Sequence, residues 1–286
     1  MAVSRGLLLF PVGIAGDAAF DQSAEARGGE SLGPAMGQQM RITQDDTVVD
    51  HQLLKLPAVE AYSLWAETYD STPNPFLALE ERMLAPLLPD PKGSFVLDLA
   101  CGTGRWLRTL LAQGARQGVG LDLSSQMLAQ ARCKQALHGR LVRADCTANP
   151  ICSRIVDTAI CSFAISYVAN LGALASEISR VMKMEGHLII TDFHPSGSER
   201  GWRRTFRHAE RVVEILNFQR SIEQMCRAFQ KHRFMLERFI TPSFGEPERP
   251  IFVRRGKEHL FERAQAGPAI YICSFRLRGS YHMAYR

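Results

Sequence analysis

The sequence predicts an α/β fold, a doubly wound and mostly parallel sheet with helices on both faces, and three observations carry the prediction. Strand-like runs alternate with helical segments between residues 95 and 193. The strand runs are continuously apolar, as strands covered on both faces are. A loop with two glycines two positions apart follows the first run, where such sheets bind ligands.

Ahead of the sheet, Tyr62, Trp65 and Tyr69 stand at i, i+3 and i+7, one face of a helix expected over residues 54–70. Pro73 and Pro75 break it, and FLALEERMLAPLL reads as a second helix ending near Pro89. Phe95–Leu99 is then a strand, Gly104–Gln113 a helix and Val119–Leu123 a strand, after which Ser124 caps a helix over SSQMLAQARCKQAL. Leu141–Ala144, Thr158–Phe163 and His187–Phe193 are further strands, with a turn at Asn149-Pro150 and a helix over Ala173–Met182. Beyond Phe193 the rhythm changes. HPSGSERGWRRTFRHAER is polar and basic, VVEILNF is strand-like and IEQMCRAFQKHRF helical, while MLERFI and AIYICSFRLR are strands expected to pair antiparallel at the sheet edge.

At 286 residues the chain is long enough for one substantial core with extensions. Residues 1–50 read as a disordered or loosely docked extension and residues 51–286 as a single domain. Its cofactor half falls at about 54–193, and the lid and substrate-side elements at about 194–265. GLLLFPVGIAG after Arg5 has some likeness to a secretory signal, but Pro11 inside it and the meagre positive charge before it speak against one. It is also shorter than the roughly 20 residues a membrane span needs. Seven cysteines without a C-x-x-C pair suggest neither a zinc site nor a disulfide framework, and the expected compartment is the reducing cytoplasm. A net charge of +5 suits acidic small molecules or an acidic partner better than nucleic acid.

The informative stretch is VLDLACGTGRW, Val96 to Trp106. A dinucleotide loop wants G-x-G-x-x-G, and here Leu107 replaces the third glycine. Asp98 stands inside the strand, a costly place for a carboxylate unless it is paired or aimed at a ligand. A pyrophosphate would repel it, whereas a ligand with an ammonium group would be attracted. Asp122 ends the next strand, eighteen positions after Gly104, where a carboxylate can accept the hydroxyls of a ribose.

VLDLACGTGRW, GVGLDLSSQML, LVRADCTANP and TAICSFAISYV together resemble, in order and spacing, the class I S-adenosylmethionine-dependent methyltransferases. The likeness is to the small-molecule branch with the ubiquinone/menaquinone and malonyl-carrier-protein O-methyltransferases, and it covers Tyr62 to Phe193. It implies a Rossmann-like, seven-stranded sheet with an antiparallel edge strand, N-terminal helices and a C-terminal lid-like insertion, and S-adenosyl-L-methionine as cofactor. By this resemblance Asp98 organises the loop and meets the methionine ammonium, while Ala100, Gly102 and Gly104 contact the methionine part through backbone. Asp122 holds the ribose, Leu123 and Met127 pack near the adenine, and Asp145 with the Cys146 backbone meets its amino edge. Ser162 and Phe163 line the sulfonium end, and Tyr69 covers the cofactor from the opposite side.

The candidate catalytic base is His194, directly after the fifth strand, with Asp192 as its orienting partner and strand-end capping as its alternative role. Tyr167 is a further pocket candidate. Arg200, Arg203, Arg204, Arg207 and Arg211 surround Trp202 and Phe206, as a solvated helix face or as a lid reading an acidic acceptor. No metal is expected. Three other functions stand beside methyl transfer to a small molecule: an RNA, DNA or protein methyltransferase, an NAD(P)-dependent oxidoreductase, and a non-catalytic S-adenosylmethionine-binding protein. Against a DNA adenine methyltransferase, Ser162-Phe163-Ala164-Ile165 replaces the N/D-P-P-Y/F tetrapeptide.

Overall fold

The computed structural model describes residues 53–279, so the expectations about residues 1–50 lie outside the described residues. Seven strands form one sheet: β2 (Phe95–Leu99), β3 (Gln117–Asp122), β4 (Leu141–Arg143), β5 (Val156–Ser162), β6 (Met182–Phe193), β9 (Phe234–Ile240) and β10 (Ile270–Leu277). Their order is β4-β3-β2-β5-β6-β10-β9, parallel from β4 to β6, with β10 antiparallel to both of its neighbours. The antiparallel strand lies one in from the edge, because β10 inserts between β6 and β9. The chain builds leftward from β2 to β4, then returns to start β5 on the other side of β2. This reversal leaves a crevice beyond the carboxyl ends of β2 and β5.

Strand periodicity divides the core in two. Leu97, Leu99, Ala159, Cys161, Leu188 and Ile190 face α5 (Leu171–Val181) and α7 (Ile222–Gln230). Val96, Ile160 and Ile189 face the opposite layer, which includes α2 (Pro75–Leu84) and α3 (Arg105–Ala112). Asp98 shares the face of Val96 and is 3% exposed. Leu107, at the position of the missing glycine, is fully buried in this layer. The close approach it needs is supplied by the neighbouring strand. A Cβ on Gly118 would stand 2.6 Å from Leu107 Cδ1, and one on Gly120 3.2 Å from Cδ2. Two glycines on β3 thus take over the spacing that a third loop glycine provides in dinucleotide folds.

A second, small sheet forms a cap that packs on Ala61 and Trp65, in the order β1 (Leu54–Leu56), β8 (Arg211–Ile215) and β7 (Thr205–His208). Two expectations are corrected here. The first helix, α1, covers only Ala58–Tyr69, and Leu54–Leu56 is a strand parallel to β8. Pro57 is the reason, since the residue before a proline avoids the helical region. The arginine-rich segment does not form a solvated helix face. After the short helix α6 (Pro195–Glu199) it becomes the hairpin β7–β8, whose Phe206 stacks on Trp65 with centroids 4.9 Å apart. Such a pair contributes about 0.5–1.5 kcal/mol beyond the area it buries. No helix among the described residues is long and apolar enough to cross a membrane.

The hairpin is joined to the main sheet by a buried ion pair. Arg204 Nη2 donates to Asp192 Oδ1 at 2.9 Å, with the two side chains 11% and 1% exposed. Arg203, by contrast, is 42% exposed and 3.9 Å from Glu214. Arg204→Met leaves Asp192 buried without a counter-charge and is expected to lower stability by about 3 kcal/mol in urea unfolding. Arg203→Met should lower it by less than about 1 kcal/mol. Equal effects would show that Arg204 does not anchor the cap.

Candidate functional site

The crevice is a cavity of about 460 Å³, within the size range of small-molecule sites. Its floor is the strand ends of β2, β3 and β5, and its roof is α1 with the loop after β5. Two residues with side chains take left-handed backbone at its floor, Ala100 with φ 53° after β2 and Phe163 with φ 52° after β5. A bulky residue in that region costs energy and clusters at functional sites. The Phe163 turn is held by its N–H donating to the Thr191 carbonyl at 2.9 Å.

Asp98, Ala100, Gly102, Asp122, Leu123, Met127, Asp145, Cys146, Ser162 and Tyr69 all line this cavity. The residues that the glycine loop, the acidic strand ends and the family resemblance lead one to expect therefore converge in space, with two exceptions. Gly104 is absent from the lining. It caps α3 at φ 78°, and a Cβ there would collide with Leu137 Cδ1, so its role is to turn the chain and admit that close contact. His194 is the second exception. It caps α6, its Nδ1 accepting from the Ser196 N–H at 3.2 Å, and it faces a different, smaller cavity. Burial also lowers its pKa below the ordinary histidine value. Its expected partner Asp192 is engaged elsewhere, accepting from Arg204 and from the Ser166 N–H at 3.0 Å.

The carboxylates are preorganised by backbone. Asp122 accepts from the Gly102 N–H and the Ser124 N–H, both at 2.8 Å, which ties the glycine loop to the start of α4 (Ser125–Arg132). Ser124 caps that helix as expected, accepting from Met127 N–H. Asp98 accepts from the Leu107 N–H at 3.0 Å. Burial pushes the Asp98 carboxyl up to about 7, against the lowering influence of that N–H and of Arg105, while Asp122 and Glu80 repel its charge. Burial likewise raises Asp122 above the usual carboxylate range and Cys146 to about 12. Asp145 is exposed, and its Oδ1 holds both the N–H and hydroxyl of Thr147 at 2.8 Å, so the turn-capping role is real.

Two groups escape the sequence reading. Glu80 on α2 is fully buried and accepts from Arg105, from Trp106 Nε1 at 3.1 Å, from Ser162 Oγ at 2.7 Å and from Thr191 Oγ1. The available signal was a carboxylate on the apolar face of that helix, four residues from both Phe76 and Leu84. Arg105 is the second, and among the described residues it is the one cationic side chain lining the cavity. Its Nη2 is bound to Glu80, and its Nη1 is buried with no hydrogen-bond partner. On the roof, Tyr62 and Tyr167 share a hydrogen bond at 3.2 Å. Burial raises the Tyr62 and Tyr69 phenols, which keeps them protonated.

The methyltransferase-domain family has a model that matches residues 96–186. A malonyl-[acyl-carrier protein] O-methyltransferase of Yersinia pestis is 28% identical over 217 residues, 72% of this chain and 77% of that protein. A demethylmenaquinone methyltransferase of Tropheryma whipplei is 32% identical over 139 residues, 46% of this chain and 56% of the relative. An uncharacterised Haemophilus influenzae protein is 34% identical over 125 residues, 41% of this chain, and the chain spans about half of that relative's length (49%). Among solved structures, an S-adenosylmethionine-dependent methyltransferase from Mesorhizobium loti superposes with a TM-score of 0.57 at 23% identity. That match covers 71% of this chain and 100% of the other and establishes the fold.

The raised Asp98 carboxyl has a measurable consequence. Its folded pKa, about 7, lies above the ordinary 3.8, so the folded state holds the proton more tightly. Its burial therefore costs nothing below about pH 4 and an increasing amount up to about pH 7. Stability should fall with a slope of up to roughly 1.4 kcal/mol per pH unit across that window. Asp98→Asn, which still accepts from Leu107 N–H, should remove this slope in urea unfolding at a series of pH values. Parallel profiles for the two proteins would mean that folding leaves the Asp98 carboxyl at its ordinary pKa.

Proposed function

We propose that this chain, whose central domain is a class I S-adenosylmethionine-dependent methyltransferase domain, transfers the cofactor's methyl group to a small-molecule acceptor that bears an acidic group. The observation that carries this reading is the charge pattern of the cavity, acidic strand ends around one half-buried cation, which complements the cofactor part by part. Asp98 suits the ammonium group. The unpartnered Nη1 of Arg105 suits the carboxylate. Each Asp122 oxygen keeps a lone pair beyond its backbone bond, enough for the two ribose hydroxyls. Leu123 and Met127 pack the adenine, and Asp145 with the Cys146 backbone meets its amino edge. Ser162 and Phe163 flank the sulfonium under Tyr69. A Cβ on Gly102 would meet nothing within 4 Å, so the open space beside it is left for the ligand.

The cofactor supplies a methyl group on a positively charged sulfur, which an aligned nucleophile can take directly. The chain's part is alignment and exclusion of water, and proximity of this kind can lower a barrier by about 7 kcal/mol or more. Tyr62 and Tyr69 roof the sulfonium end as proton donors, and His194 stands outside the cavity. An acceptor that arrives already anionic, such as a carboxylate, suits such a site, because no base has to be supplied. The relatives named malonyl-[acyl-carrier protein] O-methyltransferase point the same way, toward an acyl group on a carrier. Free thiols throughout the chain agree with work in a reducing cytoplasm.

Calorimetry with S-adenosylhomocysteine is expected to show binding that Asp122→Ala weakens at least about tenfold. Affinity should also fall by up to about tenfold per pH unit below 7, as Asp98 takes up a proton and loses its attraction for the ammonium group. Unchanged affinity in Asp122→Ala sinks the cofactor reading. A transfer screen with labelled cofactor over carboxylates, phenols, amines and acyl carriers then tests the acceptor, and turnover only on phenols or amines would refute the acidic class.

A further inference from the structure

On the far side of the loop after β5 lies a second cavity of about 70 Å³, bounded by the end of β6, the cap hairpin and the start of α7. It has room for a charged head-group rather than a whole substrate. Its charged walls are Asp192, Glu214, Arg203, Arg204 and Arg220. Asp192 and Arg204 neutralise each other. Glu214 is shared loosely between Lys55 at 3.8 Å and Arg203 at 3.9 Å.

Arg220 has no carboxylate within ion-pair distance among the described residues. Its Nη2 donates to the Ala169 carbonyl at 2.7 Å, its guanidinium lies 4.6 Å from the Phe218 ring centroid, and its Nη1 is buried without a hydrogen-bond partner. Burial lowers its pKa, and no neighbouring anion raises it. Leaving a cation and a donor in this condition is unfavourable, and an incoming anion would relieve both. Ala169, whose carbonyl holds Arg220, also lines the large cavity, as does Tyr167, whereas its neighbour Ser166 lines the small one. The loop is therefore a shared wall, with the sulfonium end on one side and an uncompensated guanidinium on the other.

We infer that the small cavity seats an anionic group of the acceptor, a carboxylate or phosphate held by Arg220 with Arg203 at the rim. The acceptor then reaches the methyl group past Tyr167. This rests on the methyl-transfer reading above, and it adds where an acidic acceptor is recognised. A guanidinium fork matches either oxyanion, so the choice between them is left to the ligand's geometry.

The test is calorimetric titration of the full chain with inorganic phosphate and, separately, with malonate, with and without S-adenosylhomocysteine, ionic strength being held constant with chloride. At least one anion should bind, Arg220→Gln should weaken it at least about tenfold, and Arg203→Gln about threefold, with S-adenosylhomocysteine affinity unchanged within twofold. The phosphate and malonate arms tell the two head-groups apart. Absence of binding by both anions, or equal binding by wild type and Arg220→Gln, overturns the site. So does anion binding that S-adenosylhomocysteine abolishes, since that places the anion in the large cavity. Should the variant fail to fold, the unaltered chain still decides the matter: the bound anion should protect Arg220 from phenylglyoxal, as mapped by mass spectrometry, and unprotected Arg220 overturns the site. Failure of the wild type to bind S-adenosylhomocysteine while anions still bind would instead refute the cofactor reading and leave the anion site standing.

Discussion

The buried carboxylate of Glu80 is the constraint on which the site depends. It gathers four donors from α3, β5 and β6, namely Arg105, Trp106, Ser162 and Thr191. A carboxylate removed from water is tolerable only with such a full set of partners, and once satisfied it fixes where each partner stands. Here the partners belong to elements on both sides of the sheet's reversal point. Their attachment to one group sets the width of the crevice and turns Arg105 so that one nitrogen is bound and another is left over. Breaking the cluster would strand a buried anion beside a half-buried cation.

Around that anchor the floor is built by backbone rather than by side chains. Ala100 and Phe163 accept left-handed conformations at the two strand ends that flank the crevice. The cost of such conformations is offset by the fixed geometry around them, as with Phe163 N–H on the Thr191 carbonyl. Asp122 holds the glycine loop by its Gly102 N–H, so the residue best suited to a ribose also shapes the loop beside it. Asp98 likewise braces the start of α3, through the Leu107 N–H.

The cap converts a basic, aromatic segment into packing. Trp202 and Phe206 are buried, Arg204 spans to Asp192 while its guanidinium stands 4.4 Å from the Phe193 ring centroid and 5.1 Å from that of Tyr167, and α1 is latched to the glycine loop through Asp70. Asp70 accepts from Thr103 Oγ1 at 2.6 Å and pairs with Lys134 at 2.6 Å, and Lys134 also donates to the Thr103 carbonyl. The roof helix of the large cavity is thereby held twice, by the hairpin stacked on Trp65 and by this ion pair just beyond Tyr69.

In one part of the molecule, position along the chain dictates position in space, and there the amino-acid order alone sets the arrangement. The strand–helix alternation, the continuous apolar strands, the glycine loop and the acidic residues at successive strand ends all follow local rules. Spacing along the chain is therefore enough to place the sheet and to bring Asp98, Gly102 and Asp122 to one cavity. Tertiary structure decided whatever depends on residues far apart in sequence. Glu80 meets Thr191, Arg204 meets Asp192 across two elements, and Leu107 meets glycines on another strand. It also separated His194 from the crevice, because the backbone turns at Pro195 and the ring caps a helix instead of continuing along β6. Local periodicity carries no information about which distant partner satisfies a buried charge. Only the folded chain, where desolvation makes an unpaired charge costly, shows that Arg204 is engaged by Asp192 while Arg105, bound to Glu80, keeps one nitrogen without a partner.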